Sequence, residues 1–262
     1  MRVITEPTVH VLSVPKFFDH PSYIIPKGGT DSERLIAHAG KGCYDSYGLD
    51  GRSLSQHIES LISTGHGSVL EHANISIFIE GISRGCSHEI VRHRAGFAYS
   101  QRSTRYTAEG DANIVLDPQY VIAFNGIAAG NDVGLEWTAL LNTFVMQCRS
   151  AFEAYKNQVE WLMEEAPKAM NGVARRKWAR GKARQLLPHA LETRMTMTGN
   201  LRAWRHFLVQ RSDRAAEGEI RRLAAAVMYA ISPYAPLVFD DMEESAEMVD
   251  GYPEYKPLAR KV

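Results

Sequence analysis

RHRAGFAYSQRSTRY, residues 92–106, packs five arginine or histidine positions and three aliphatic hydroxyls into one stretch without an acid. Phe97, Tyr99 and Tyr106 are interleaved with those cations. Guanidinium forks match phosphate oxygens, and flat apolar rings match a heterocycle. The combination suits a nucleotide or a dinucleotide cofactor. A solvated basic face is the ordinary origin of a charge run. Here, however, the arginines are broken by aromatics instead of by Glu or Lys partners at helical spacing, so no lattice of ion pairs accounts for them. Across the chain 30 Lys+Arg balance 30 Asp+Glu, so the cluster is a local concentration. A long nucleic-acid groove is therefore the weaker reading.

Outward from this stretch, the apolar pattern sets the elements. Ser53 with Gln56 three residues later forms a capping box, Leu54, Ile58, Leu61 and Ile62 make a stripe, and Gly65 stops it. The pattern predicts a helix over 53–64 with His66 just past its end. Residues 73–82 alternate Ile75, Ile77 and Ile79 against Asn74, Ser76 and Phe78, which predicts a strand closed by Gly81. Residues 83–94 read as a helix that delivers the first arginines. Residues 106–130, with Gly, Pro and short apolar pieces, read as a loop with one short strand or two. A long helix is predicted over 132–165 from Leu135, Leu140, Leu141, Phe144, Val145, Cys148 and Phe152, and a second over 174–187, ended by Pro188. Thr193, Met195 and Met197 alternate with Arg194 and Thr196 in a strand over 192–198. Asn200 then caps a helix to about 211, and another runs over about 215–231.

With 262 residues and 45% hydrophobic content, the chain can bury a sizeable core, and no linker or repeat divides it. Cys43, Cys86 and Cys148 lie far apart with no C-x-x-C spacing, which predicts buried thiols in a reducing compartment. The first residues lack a basic region followed by an apolar one, and no apolar run of about 18 residues occurs. A soluble, cytoplasmic protein with no membrane partner is expected.

Several tempting motifs have plainer explanations. In His88-Glu89-Ile90-Val91-Arg92-His93 the second histidine comes five residues after the first. At about 100° per residue the rings diverge by about 140°, so they cannot share a zinc on one helical face, and no metal is expected. Met195 and Met197 read as core-facing sheet. Asp240, Asp241, Glu243 and Glu244 read as a solvated acidic turn in preference to a cation site. Ser103, flanked by Arg102 and Arg105 with no neighbouring histidine, reads as a ligand group and not a nucleophile.

The chain from Arg92 resembles the signature of the flavin-dependent thymidylate synthases, R-H-R-x7-S-x-R-Y. Eight residues separate Arg94 from Ser103 here, one more than that pattern, which reads as a loop insertion. Upstream, Gly65, His66, Gly67, Ser68, Glu71 and His72 resemble the family's G-H-x-S/T-x-x-E-H segment. Downstream, ARQLLP at 183–188, Asn200-Leu201-Arg202, and Arg211 with Glu219-Ile220-Arg221 resemble A-R-x-x-L-P, N-x-R and R-x7-E-I-R. The matches span residues 65–221.

The resemblance implies an α+β fold, helices packed around a small, mostly antiparallel sheet, in a single domain over 1–262. It also implies reductive methylation of dUMP to dTMP, with methylenetetrahydrofolate as carbon donor, FAD as cofactor and NADPH as reductant, in a homotetramer. Carried over by position, Ser68, Arg92, His93, Arg94, Gln101, Asn200, Arg202 and His206 match flavin contacts, His206 standing where the family more often has Asn. Glu89, Arg92, Arg102, Ser103, Thr104, Arg105, Arg184 and Arg211 match nucleotide contacts. Arg211 matches the arginine that polarises the pyrimidine, and His66 the position near flavin and folate. Glu89 replaces a usual Gln. An ion pair with Arg92 one turn on, or an altered substrate preference, is expected from it. A flavin-dependent pyrimidine nucleotide hydroxymethylase is the alternative enzyme, and a nucleic-acid-binding module the alternative of another class; bound flavin separates them.

Overall fold

A computed structural model describes residues 1–110 and 112–258. In chain order its elements are β1 (Val3–Ile4), β2 (Thr8–Ser13), α1 (Asp31–Gly42), α2 (Leu54–Ser63), β3 (Asn74–Ser83), α3 (Arg84–Ile90), β4 (Phe97–Gln101), β5 (Ile114–Val115), α4 (Pro118–Ala128), α5 (Leu135–Glu165), α6 (Gly172–Ala183), β6 (Glu192–Asn200), α7 (Leu201–Ser212), α8 (Gly218–Ile231), α9 (Pro236–Phe239), β7 (Met242–Glu244) and β8 (Tyr255–Pro257). The mixture of helix and sheet is that of the α+β class. No described helix is long and apolar enough to cross a membrane. Two compact units divide the chain: a first of Met1–Pro7, Glu80–Glu89 and Gln101–Met195, and a second of Thr8–Ile79, Ile90–Ser100 and Thr196–Val262.

In the second unit the Ser53 capping box forms as predicted: the Gln56 N–H donates to the Ser53 hydroxyl at 3.3 Å, and the Ser53 N–H donates to Gln56 Oε1 at 3.0 Å. Gly65 closes α2 at φ 79°, its N–H bonding the Ile62 carbonyl while the His66 N–H bonds that of Leu61. This bond pair takes up carbonyls a helix end otherwise leaves bare. The four-stranded sheet has the order β2-β3-β6-β4, with β3 and β6 running on into the first unit. Ile75, Ile77 and Ile79 are fully buried, and the Trp204 indole of α7 donates to the Ile75 carbonyl at 3.3 Å. Met195 and Met197 are buried, as their alternation predicts.

The first unit is mainly helical. Leu141, Cys148, Tyr155 and Leu162 recur along α5 as its buried line, and Tyr155 and Leu162 pack with Ala179 and Ala183 of α6. Beside them β1 and β5 pair in parallel, whereas β7 and β8 of the second unit pair antiparallel.

Four sequence expectations need correction. Helix α3 stops at Ile90, short of Arg94, because the chain turns at Gly96 (φ 75°) and the Tyr99 hydroxyl meets the Ile90 carbonyl at 3.2 Å and also the His93 carbonyl. Helix α4 occupies part of the stretch read as loop: Asp117 caps it by accepting from the Gln119 N–H at 3.0 Å, and Pro118 sits at its first position, where no N–H is needed. Residues 184–187 leave α6 for a single 3-10 turn, Arg184–Leu186. Cys43 is exposed, while Cys86 and Cys148 are buried. Strand β4, inside the basic stretch, and α1, capped by Thr30 and Glu33, were not anticipated.

Candidate active site

The loop over 91–96 lies on the start of α7. A Cβ at Gly96 would stand 2.7 Å from Asn200 Nδ2 and 2.8 Å from Ala203 Cβ, so only glycine fits both the space and the positive φ. Asn200 ties the two together: its N–H donates to the Gly96 carbonyl at 3.2 Å and its Oδ1 accepts from the Ala203 N–H at 2.8 Å. Helix α7 then carries His206 and Arg211 past the loop. Arg211 Nε donates to His93 Nε2 at 2.6 Å. Nε2 is thus the accepting nitrogen of this contact. The His93 ring meets Phe207, His206 and Phe97 at centroid distances of 5.1, 5.9 and 6.4 Å. A cleft of about 300 Å³ opens here between Arg92, His93, Arg94, Phe97, His206 and Arg211, with no carboxylate in its lining. Guanidinium and imidazole donors beside an aromatic ring fit a ligand that joins phosphate to a heterocycle, as a flavin dinucleotide does.

A second cleft of the same unit, about 350 Å³, is lined by His66, Ser68 and Arg202 together with Tyr44, Cys43 and Gly67. His66 follows the glycine closure of α2, and its ring stacks on Tyr44 at 6.1 Å with 21° between planes. Ser68 lies in the 3-10 turn Gly67–His72. Arg202 Nη1 reaches Glu71 Oε1 at 2.7 Å, an exposed pair worth at most about 1 kcal/mol but enough to join the two sequence segments.

The remaining predicted residues belong to the first unit. Gln101 Nε2 donates to Ser87 Oγ at 2.7 Å and Thr193 Oγ1 at 3.3 Å, which ties its amide to the unit's own framework. Arg102 Nη2 lies 2.9 Å from Glu109 Oε2, and Glu109 is buried. Burial pushes the Glu109 carboxyl up, against the downward pull of Arg102 and Arg84. Ser103 starts a tight turn: its carbonyl accepts from the Tyr106 and Thr107 N–H groups at 3.2 and 3.0 Å, and its Oγ from the Arg105 N–H at 3.3 Å. Thr104 is buried, while Arg105 and Arg184 are exposed. Helix α6 grips this turn, with Arg180 Nη1 donating to the Tyr106 carbonyl at 2.6 Å and Lys177 Nζ 4.6 Å from the Tyr106 ring centre.

Glu109, Lys177, Arg180 and Tyr44 were missed, because each reaches its place through tertiary packing and no local pattern marks it. The expected pairing of Glu89 with Arg92 loses its helical basis, since α3 ends at Ile90 between them. Asp241 departs from the solvated-turn reading: its two oxygens take Nη1 and Nη2 of the buried Arg205 at 2.5 and 2.8 Å. Asp240, Glu243 and Glu244 are exposed.

The family model described as thymidylate synthase complementing protein matches residues 28–237. A flavin-dependent thymidylate synthase of Mycobacteroides abscessus is 40% identical to the chain over 220 residues, 83% of this chain and 82% of that one. One of Mycobacterium marinum is 35% identical over 257 residues, 97% of each chain. One of Mycobacterium avium is 40% identical over 220 residues, 83% and 82% of the two chains.

Proposed function

The chain belongs to the thymidylate synthase complementing protein family, that of the flavin-dependent thymidylate synthases, and from this premise we propose that it converts dUMP to dTMP with methylenetetrahydrofolate as carbon donor and NADPH as reductant. The observation that carries the reading is the acid-free cleft in which Arg211 is held on His93. FAD, when bound, supplies hydride chemistry that no side chain offers. Ser68, Arg92, His93, Arg94, Gln101, Asn200, Arg202 and His206 are the residues assigned to hold it.

Arg211 polarises the pyrimidine. A guanidinium stays charged at any working pH, so it stabilises negative charge on the ring's N3 and carbonyl oxygen and makes C5 nucleophilic without a covalent enzyme adduct. Donation from Nε to His93 Nε2 orients that guanidinium. Glu89, Arg92, Arg102, Ser103, Thr104, Arg105 and Arg184 are the remaining nucleotide contacts in this reading. Ser103 acts as a hydrogen-bonding ligand, and His66 faces folate. The chain works as one catalytic domain with helices around a small, mostly antiparallel sheet, assembled as a cytoplasmic homotetramer. Anaerobic incubation with dUMP, methylenetetrahydrofolate and NADPH should yield dTMP. A hydroxymethylated pyrimidine nucleotide would assign the altered-outcome enzyme instead, and a colourless protein that retards DNA would remove the enzyme reading.

A further inference from the structure

Residues 240–258 follow the stretch matched by the family model and bond to α7 and to the start of α8. Their attachments fall on residues 205–221, the stretch of chain that includes Arg211. The buried Arg205, in the middle of α7, grips Asp241 with both terminal nitrogens and also donates to the Val238 carbonyl. Ser212, the residue after Arg211, is 1% exposed and accepts from the Tyr255 N–H at 2.8 Å. Arg214 pairs with Glu247 at 2.9 Å, and the buried Arg221 of α8 pairs with Asp250.

The carbonyls of a helix's last turn have no N–H donors further along the helix, so the turn frays unless something outside holds it. Arg211 is the penultimate residue of α7, and at Asp213 the backbone leaves helical angles at ψ 139°. We propose that this C-terminal strap is what holds the turn, and that Ser212 is a positioning residue through which Tyr255 and the strap set the angle of Arg211. Arg205 and Asp241 anchor the strap upstream, while Arg221 and Asp250 anchor it downstream. The Ser212 hydroxyl, one residue after Arg211 in the chain, takes the Tyr255 N–H of the strap. The proposal rests on the reading of Arg211 as the residue that polarises the pyrimidine.

The test compares full-length wild type with Ser212→Ala and, independently, Asp250→Asn, which loosens the strap without touching α7. Amide hydrogen exchange over 208–212 should rise about tenfold in both variants, and kcat for dTMP formation should fall about tenfold while flavin content and the KM for dUMP stay within about twofold, as expected when a reacting group is misplaced but not removed. Unchanged exchange in both variants overturns the strap. Faster exchange with an unchanged kcat overturns the positioning role and leaves a merely structural one. A wild type that makes no dTMP defeats the catalytic reading of Arg211, while the exchange data still decide whether the strap holds the helix end.

Discussion

Arg211 and Ser103 carry opposite expectations although both stand beside cations. In the proposed reading Arg211 supplies fixed charge where charge develops, so Arg211→Ala should lower kcat by about 10²–10³-fold, the usual loss on deleting one such donor. Ser103, whose Oγ accepts from the Arg105 N–H, lies in a turn built from backbone bonds and arginines. Ser103→Ala should therefore raise the KM for dUMP and keep measurable turnover in steady-state assays; a trapped covalent adduct on Ser103 contradicts this. Glu89 lies near the end of α3, and as one of the proposed nucleotide contacts it would bring a carboxylate, where a Gln is usual, toward an anion, an unfavourable pairing unless it is compensated. Glu89→Gln should shift the preference among dUMP, dCMP and their ribonucleotides in competition assays, and an unchanged preference and product leaves Glu89 a structural group. Tyr99 gives a pH prediction. Burial pushes its phenol up to about 12, above the ordinary 10.0, so the folded state favours the neutral form. The stability it contributes is complete below pH 10 and is lost as pH rises through about 12. Denaturant midpoints over that window should fall less steeply in Tyr99→Phe than in wild type.

At the scale of elements, the caps were the legible part. Ser53 with Gln56, Gly65 and Asn200 each specify a backbone bond within three or four residues, and each forms where the sequence places it. The stop of α3 was not legible, because it depends on Tyr99 reaching back to the Ile90 and His93 carbonyls and on Gly96 fitting against Asn200. Helix α4 was hidden because the Gly, Pro and short apolar pieces of 106–130 read as a loop, whereas Pro118 stands at a helix start. Releasing Arg92, His93 and Arg94 from a helix lets the three side chains line one cleft, which a continuous helix would splay apart. If this loop and the α7 start hold the dinucleotide, Arg94→Ala and Arg202→Ala should each purify with less flavin per protein and an intact circular dichroism spectrum. Full occupancy in both moves the cofactor elsewhere.

For the molecule as a whole, the neutral balance of 30 basic and 30 acidic residues makes the basic stretch meaningful, because it cannot be the edge of a general positive field. Three separated motif segments carried the site reading, and the Arg202–Glu71 and Arg211–His93 contacts bring residues of those segments within hydrogen-bond reach. What the segments do not encode is how framework residues such as Glu109 or the strap residue Tyr255 support them, since those depend on burial created by the finished fold. The central claim is that reducing equivalents reach the pyrimidine from the flavin and not from the folate, and the fate of the folate decides it. Anaerobic turnover of dUMP with methylenetetrahydrofolate and NADPH should give dTMP and tetrahydrofolate in equal amounts; dTMP accompanied by dihydrofolate, or no dTMP, contradicts it.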